Sequence, residues 1–414
     1  MHFILIFFLL KLIIVSSEIK KMIKKLLLIL FFFFGFQTTF SQYVKLSVYS
    51  EVSVITVGPG NELFEAFGHS AFRIKDPVLK LDLVYNYGMF DFNAPNFYLN
   101  FVKGDLLYQL GRYPFHYFEE SNKRDKRWMK SQVLNLTQEQ KQHYFEFLEI
   151  NASPQNASYF YDPYFDNCAS KLRDVSNTIL GDKITLSDDY VTENLSLRQL
   201  MNKEIPWNTW GSFGINLALG SRLDKVATAS EYMYLPDYVY TAFKSGTIFN
   251  KNQQEEIVKN ETTILDFKEI KQKIIVLNPL VVFSIISFFG LFITYHDFKR
   301  KKRTKWLDFT LFFFTGIIGF LIIYLWFFTN HSTAPNNFNI LWCFPMNLFI
   351  GFLLMNNQPK KWIKKYLLFL LILFILIPFV WIFKIQLFPK AAIPFFVLLF
   401  VRYFFLTKLL SFKK

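Results

Sequence analysis

Reactive side chains are scarce in this sequence: two cysteines and six histidines in 414 residues. Cys168 lies in a polar stretch and Cys343 in an apolar run, so no bridge between them is expected and a disulfide scaffold is excluded. There is no Cys-x-x-Cys pair, and the histidines are too widely spaced for a zinc set, so no metal site is expected. A P-loop and a dinucleotide glycine motif are also missing, which removes the common nucleotide-binding classes and leaves no cofactor to expect. No internal repeat is visible. Acidic charge is short as well, with 32 Asp and Glu against 46 Lys and Arg, a formal net charge of +14. That excess would suit nucleic acid if it were spread over a folded face. It sits instead in short runs beside apolar segments, the pattern of membrane topology, and no nucleic-acid partner is expected.

Apolar residues are abundant: 52% of the chain is hydrophobic and 53 residues are Phe. They gather at the two ends. Lys20, Lys21, Lys24 and Lys25, an apolar core over residues 26–36 and the small-residue site Thr39-Phe40-Ser41 form a signal-peptide pattern. Met22 is then the expected start, with residues 1–21 an upstream extension; an uncleaved N-terminal anchor is the other reading. At the far end, residues 274–296, 307–328, 340–355, 366–383 and 391–407 predict five transmembrane helices, given about 20 residues per crossing. Basic residues 299–305 lie between the first and second, and Lys360, Lys361, Lys364 and Lys365 between the third and fourth. The positive-inside rule puts these loops and the C-terminus in the cytoplasm, and an odd number of crossings puts residues 42–273 outside. Within that region, residues 42–250 form the expected globular domain, and the charged residues 251–273 a juxtamembrane helix or linker.

Inside the domain, alternation predicts strands over residues 44–48, 52–57, 69–74, 82–87, 106–110 and 128–136. Short helices are expected at 62–67 and 94–102. A capping box at Thr137 starts a helix running to about Glu149. Residues 197–240 are irregular and aromatic, suited to core packing or to a lipid-facing groove. The stretch YDPYFDNCASKLRD, residues 161–174, places Cys168 after Asp166 or Asn167 as N-cap, with Leu172, Val175 and Ile179 on the same helical face. A thiol in the first turn meets unpaired N–H groups and the positive end of the helix dipole, which favour its reactive thiolate. The competing reading is a small buried hydrophobe. A nucleophile needs a base. His69, at a glycine turn entering a strand, is the best placed, whereas His116 and His143 lie on charged, exposed stretches.

FEAFGHSAFRI, DLVYNYGMFDF and YDPYFDNCASKLRD, in this order, resemble the periplasmic domain of the Lnb-type lipoprotein N-acyltransferases of Bacteroidetes, itself similar to permuted NlpC/P60 and lecithin:retinol acyltransferase-like enzymes. The resemblance implies an α+β, permuted papain-like exported domain, with the His strand ahead of the Cys helix, followed by an all-α five-span bundle. It implies that His69 and Cys168 are catalytic and that Asn86, or secondarily Asp91, orients the imidazole. The implied partners are a membrane phospholipid as acyl donor, a diacylglyceryl lipoprotein as acceptor, and the bilayer of the inner membrane. Backbone N–H groups at the start of the Cys168 helix would hold the oxyanion. Lys171 and Arg173 are candidates to meet the donor phosphate, or else are solvent-facing helix charges. Two other functions share the same residues: an NlpC/P60-like peptidoglycan or amide hydrolase, and a non-catalytic envelope sensor or scaffold.

Overall fold

The computed structural model describes residues 19, 21–26, 44–250, 252–269 and 275–412, with side chains to residue 410. The first 45 residues form a unit of their own, in which Ile19 and residues 21–26 are helical. The rest of the signal-peptide reading falls outside the described residues.

Residues 46–414 form the second unit. β-Branched and aromatic residues alternating with period two build strands β1 Glu51–Val57, β2 His69–Asp76 and β3 Leu81–Met89. There follow helix α1 Phe97–Lys103, β4 Leu107–Pro114, α2 Phe115–Arg124, β5 Met129–Leu134, α3 Gln138–Asn151, β6 Ser158–Phe160 and α4 Cys168–Leu180. The antiparallel sheet has the order β7-β5-β1-β2-β3-β4-β6, where β7 is Val258–Leu265. Val52, Val54, Phe72, Ile74, Leu83 and Tyr85 point to one face, where α3 and α4 pack. Ile55, Val57, Ala71 and Val84 point to the other, covered by Phe115 and Phe118 of α2. The helix starting at Thr137 is capped as expected: Thr137 Oγ1 accepts from Gln140 N, and Gln140 Oε1 accepts from Thr137 N.

Two expectations fail. Residues 44–48 are not a strand, because both edges of β1 are already paired, by β2 and β5; the segment is held instead by Gln142 and Asp76, which accept from the N–H groups of Leu46 and Ser47. Among the described residues of the range 251–273, most are strand rather than a juxtamembrane helix or linker. They supply the hairpin strand Gln253–Glu256 and the edge strand β7, whose pairing with β5 extends the domain to Leu265. Charge masked the alternation there because an edge strand leaves one flank in water.

The membrane part agrees with expectation only in part. Among the described residues, four helices are long and apolar enough to cross a bilayer: Pro279–Arg300, Lys305–Phe327, Trp362–Ile382 and Lys390–Leu410. The expected third span is instead a short 3-10 turn, Phe338–Leu341, and a seven-residue helix, Asn347–Leu353. Pro345 falls between them; it lacks an N–H and disfavours helix at the residue before it. Asn339 holds the turn before Pro345, its Oδ1 accepting from Trp342 Nε1 and its carbonyl from the Cys343 thiol.

The domain is bonded to the ends of these helices. Trp210 Nε1 donates to Leu277 O just before the first. Asn330, just after the second, donates to Lys103 O and to Asp105 Oδ1, both at 2.7 Å. Asn337 Nδ2 donates to Leu217 O at 2.8 Å, and Leu387 N to Asp224 Oδ1 at 3.0 Å.

Candidate active site

The site forms at the end of the sheet where β2 begins. The strand register pairs Val57 with His69, so His69 shares the face of α2, and its ring lies 6.1 Å from that of Phe118. Asn86 has the same parity on β3. Cys168 comes from α4, on the opposite face. The thiol and imidazole meet because both stand at the sheet end, where β3 bulges between Asn86 and Met89. Gly88 makes the bulge with φ +89°; a Cβ there would lie 3.7 Å from Cys168 Cβ and 3.3 Å from the Tyr161 ring.

His69 Nε2 is 2.5 Å from Asn86 Oδ1, and Asn86 Nδ2 donates to Tyr113 Oη at 2.9 Å. With its amide nitrogen committed to Tyr113, Asn86 offers His69 an acceptor. Nε2 therefore carries the proton and Nδ1 is the nitrogen left for the thiol. Burial pushes the Cys168 thiol up, but the neighbouring imidazole, its hydrogen bond, and the N–H groups of Ser70 and Ala169 outweigh it and the thiol is lowered. For His69, burial favours the neutral ring, and Cys168 and Asn86 overcome it, so the imidazole is raised. These opposite shifts both favour the thiolate–imidazolium form of a Cys/His couple.

Asn167 is the N-cap of α4. Its Oδ1 accepts from Ala169 N and Ser170 N, both at 2.9 Å, while its Nδ2 donates to Pro163 O and Tyr234 O, both at 2.8 Å. The cap fixes the first turn, and with it Cys168. It also occupies two of the N–H groups expected to hold an oxyanion.

Cys168, His69 and Asn86 are thus brought together. Lys171 and Arg173 are not part of the group: Lys171 Nζ pairs with Asp166 at 2.7 Å over the Tyr159 ring, and Arg173 pairs with Asp174 at 2.7 Å and donates to Ser230 O. His116 and His143 are exposed. Sequence reasoning missed Arg127. Its side chain is 9% exposed, its Nε donates to Gly58 O at 2.8 Å, and Nη1 lies 3.6 Å from Glu65 Oε1, while Nη2 has no hydrogen-bond partner among the described residues. Its charge reaches both His69 and Cys168. Nothing in the sequence distinguishes it from other cations; the neighbouring strand ends of β5, β1 and β2 place it there.

Residues 36–210 match the Lnb N-terminal periplasmic domain, and residues 270–414 match the Lnb transmembrane domain. The chain belongs to the Lnb family. It is a multi-pass membrane protein with a periplasmic domain, and both halves of the Lnb architecture are present in the expected order. No curated protein and no solved structure matches it. Within the Lnb periplasmic match fall His69, Asn86 and Cys168.

Proposed function

We propose that the chain is a lipoprotein N-acyltransferase of the inner membrane, acting by a Cys168 thioester. The observation that carries this reading is a buried thiol of lowered pKa, paired with a His69 oriented by Asn86, in a domain bonded to membrane helices. The Cys168 sulfur attacks the ester carbonyl of a phospholipid; a C–S bond forms and the ester C–O bond breaks. The imidazolium of His69 gives its proton to the departing alkoxide, releasing a lysophospholipid. The α-amine of a diacylglyceryl-Cys lipoprotein then attacks the thioester. A C–N bond forms, the C–S bond breaks, and His69 takes the amine proton. With Ala169 and Ser170 engaged by the cap, the N–H of Cys168 itself is the first-turn donor left for the oxyanion, a contribution of about 2.7–4 kcal/mol per donor. No step calls for a metal or cofactor.

The arrangement fits a permuted papain-like domain, since the His69 strand precedes the Cys168 helix. It also fits five passes rather than four. Residues 337–339 bond the periplasmic domain at Asn216 and Leu217, and Leu354 and Asn356 accept from Arg303, in the loop joining the first two helices. A segment bonded at both ends of the bundle traverses it.

The test is expression in a host lacking its own lipoprotein N-acyltransferase, with the N-terminal peptides of lipoproteins weighed by mass spectrometry. Triacylated peptides are expected with the native chain, and only diacylated ones with Cys168→Ser or His69→Ala. Diacylated peptides from a well-expressed native chain would sink the proposal. Release of peptidoglycan fragments or free fatty acid in their place would favour the hydrolase.

A further inference from the structure

Helix α1, sequence FYLNFVK, buries none of its residues. Tyr98 is 70% and Leu99 60% exposed, and Phe101 and Val102 are exposed beside them. A soluble domain rarely leaves a whole helix of large apolar residues in water. Its position supplies the reason. Its last residue, Lys103, accepts a hydrogen bond through its carbonyl from Asn330, three residues after the end of the second membrane helix. On the other flank, exposed Leu63, followed by exposed Phe64, adjoins Gly211, next to Trp210, which packs on Phe283 in the first membrane helix. The apolar patch thus sits level with the periplasmic ends of two membrane helices.

A file of rings leads inward from it. Phe101 stacks with Phe97 at 6.4 Å between centroids, and Phe97 with Phe90 at 5.8 Å. Phe90 meets Tyr108 at 4.9 Å, and Tyr108 stacks on Tyr161 at 4.5 Å. Tyr161 borders Gly88, whose other neighbour is Cys168. Phe64 joins the file at Phe90, at 5.9 Å. Aromatic faces of this kind bind a methylene chain along their length without offering it a polar partner.

We propose that α1, with Leu63 and Phe64, is immersed in the leaflet facing the periplasm, and that the rings from Phe97 to Tyr161 carry one long acyl chain of a membrane lipid to Cys168. The immersion stands on the placement of the patch; the acyl route rests on the acyltransferase reading. Gly88 then has a second use, since a side chain there would stand between Tyr161 and the sulfur.

Two measurements on the full chain in proteoliposomes separate these parts. In the first, bimane is attached to Leu99→Cys or, as a control, Lys183→Cys, each with Cys168→Ser, in vesicles of phosphatidylcholine with brominated acyl chains. Strong quenching at position 99 and little at 183 is expected; equal quenching overturns the immersion. In the second, acylation of Cys168 is read by intact-protein mass, using palmitoyl-oleoyl phosphatidylethanolamine vesicles or water-soluble dibutyrylphosphatidylcholine. For Leu99→Asp/Phe101→Asp the ratio of long-chain to short-chain acylation rates should fall about tenfold or more. An unchanged ratio overturns the route, including where both rates fall together through misfolding. If neither donor acylates the native chain, the acyltransferase reading and the route fall together, and quenching still decides the immersion.

Discussion

Burial by itself would hold Cys168 as an inert thiol; His69 and two backbone N–H groups reverse that. The lowered thiol and the raised imidazole both move the couple toward the ion pair. The acylation rate should therefore climb with pH through the lowered thiol midpoint and decline above the raised imidazole midpoint, a bell measurable with a short-chain ester. In His69→Ala the thiol loses its main stabiliser, and its iodoacetamide-alkylation midpoint should move up toward or beyond about 8.5. Asn86→Ala removes one of the interactions raising His69, so the alkaline limb should shift down while the rate falls at least about tenfold, some 1.4 kcal/mol of barrier. Arg127 acts differently. Its cation favours the thiolate and disfavours the imidazolium, so Arg127→Gln should move both limbs up together, and Arg127→Lys should restore them. A merely structural arginine would change the amplitude and leave the limbs in place.

At the scale of elements, the first turn of α4 depends on Asn167, which satisfies two N–H groups and ties the turn to Tyr234. Asn167→Ala should cost about 1–2 kcal/mol, read as a lower unfolding midpoint, with reduced Cys168 alkylation at neutral pH. In the bundle, the broken segment packs directly on the second helix. A Cβ at Gly319 would come within 2.0 Å of Cys343 O, so Gly319→Val should destabilise the protein in detergent by about 1–3 kcal/mol. The other end is fastened by Arg402, which pairs with Asp308 at 2.7 Å and Asp297 at 2.8 Å, while Arg303 pairs with Asp308 at 2.9 Å. Two cations and two anions balance. Arg402→Met leaves buried carboxylates short of a partner and should cost about 3–5 kcal/mol, visible as early thermal aggregation.

For the whole molecule, the periplasmic domain and the bundle work as one body through polar contacts at the membrane surface. Ser332, in the loop after the second membrane helix, donates to Asp162, whose other oxygen accepts from Tyr164 N and Phe165 N in the turn leading to Cys168. In the proposed reaction these contacts would set Cys168 at a fixed height above the lipid and raise the effective concentration of acyl chains at the thiol. Topology follows from the same contacts. Cysteines placed at Asn336 and at Gln358 should label from opposite sides of the membrane with an impermeant maleimide in intact cells, position 336 from outside only. Labelling of both from outside would reduce the bundle to four passes.

The sequence by itself determined the family, the order of a globular domain before membrane helices, and the pair Cys168 and His69. Each of these is a local or compositional signal: capping residues, hydrophobic periodicity, basic runs and three short motifs. Asn86 was also legible, because it lies in the motif on the strand beside His69. Tertiary structure alone decided the rest. The strand at Val258–Leu265 exists because β5 had an edge to fill, and its charges hid it. The third apolar segment is broken at Pro345, and Asn339 holds the turn before it through Trp342 and Cys343. Arg127 comes near the dyad, and the rings from Phe101 to Tyr161 line up toward the thiol, only once distant strands are paired. Hydrophobic patterning records which side of an element is buried. It does not record which elements end up side by side, and a site built across a sheet end depends on that.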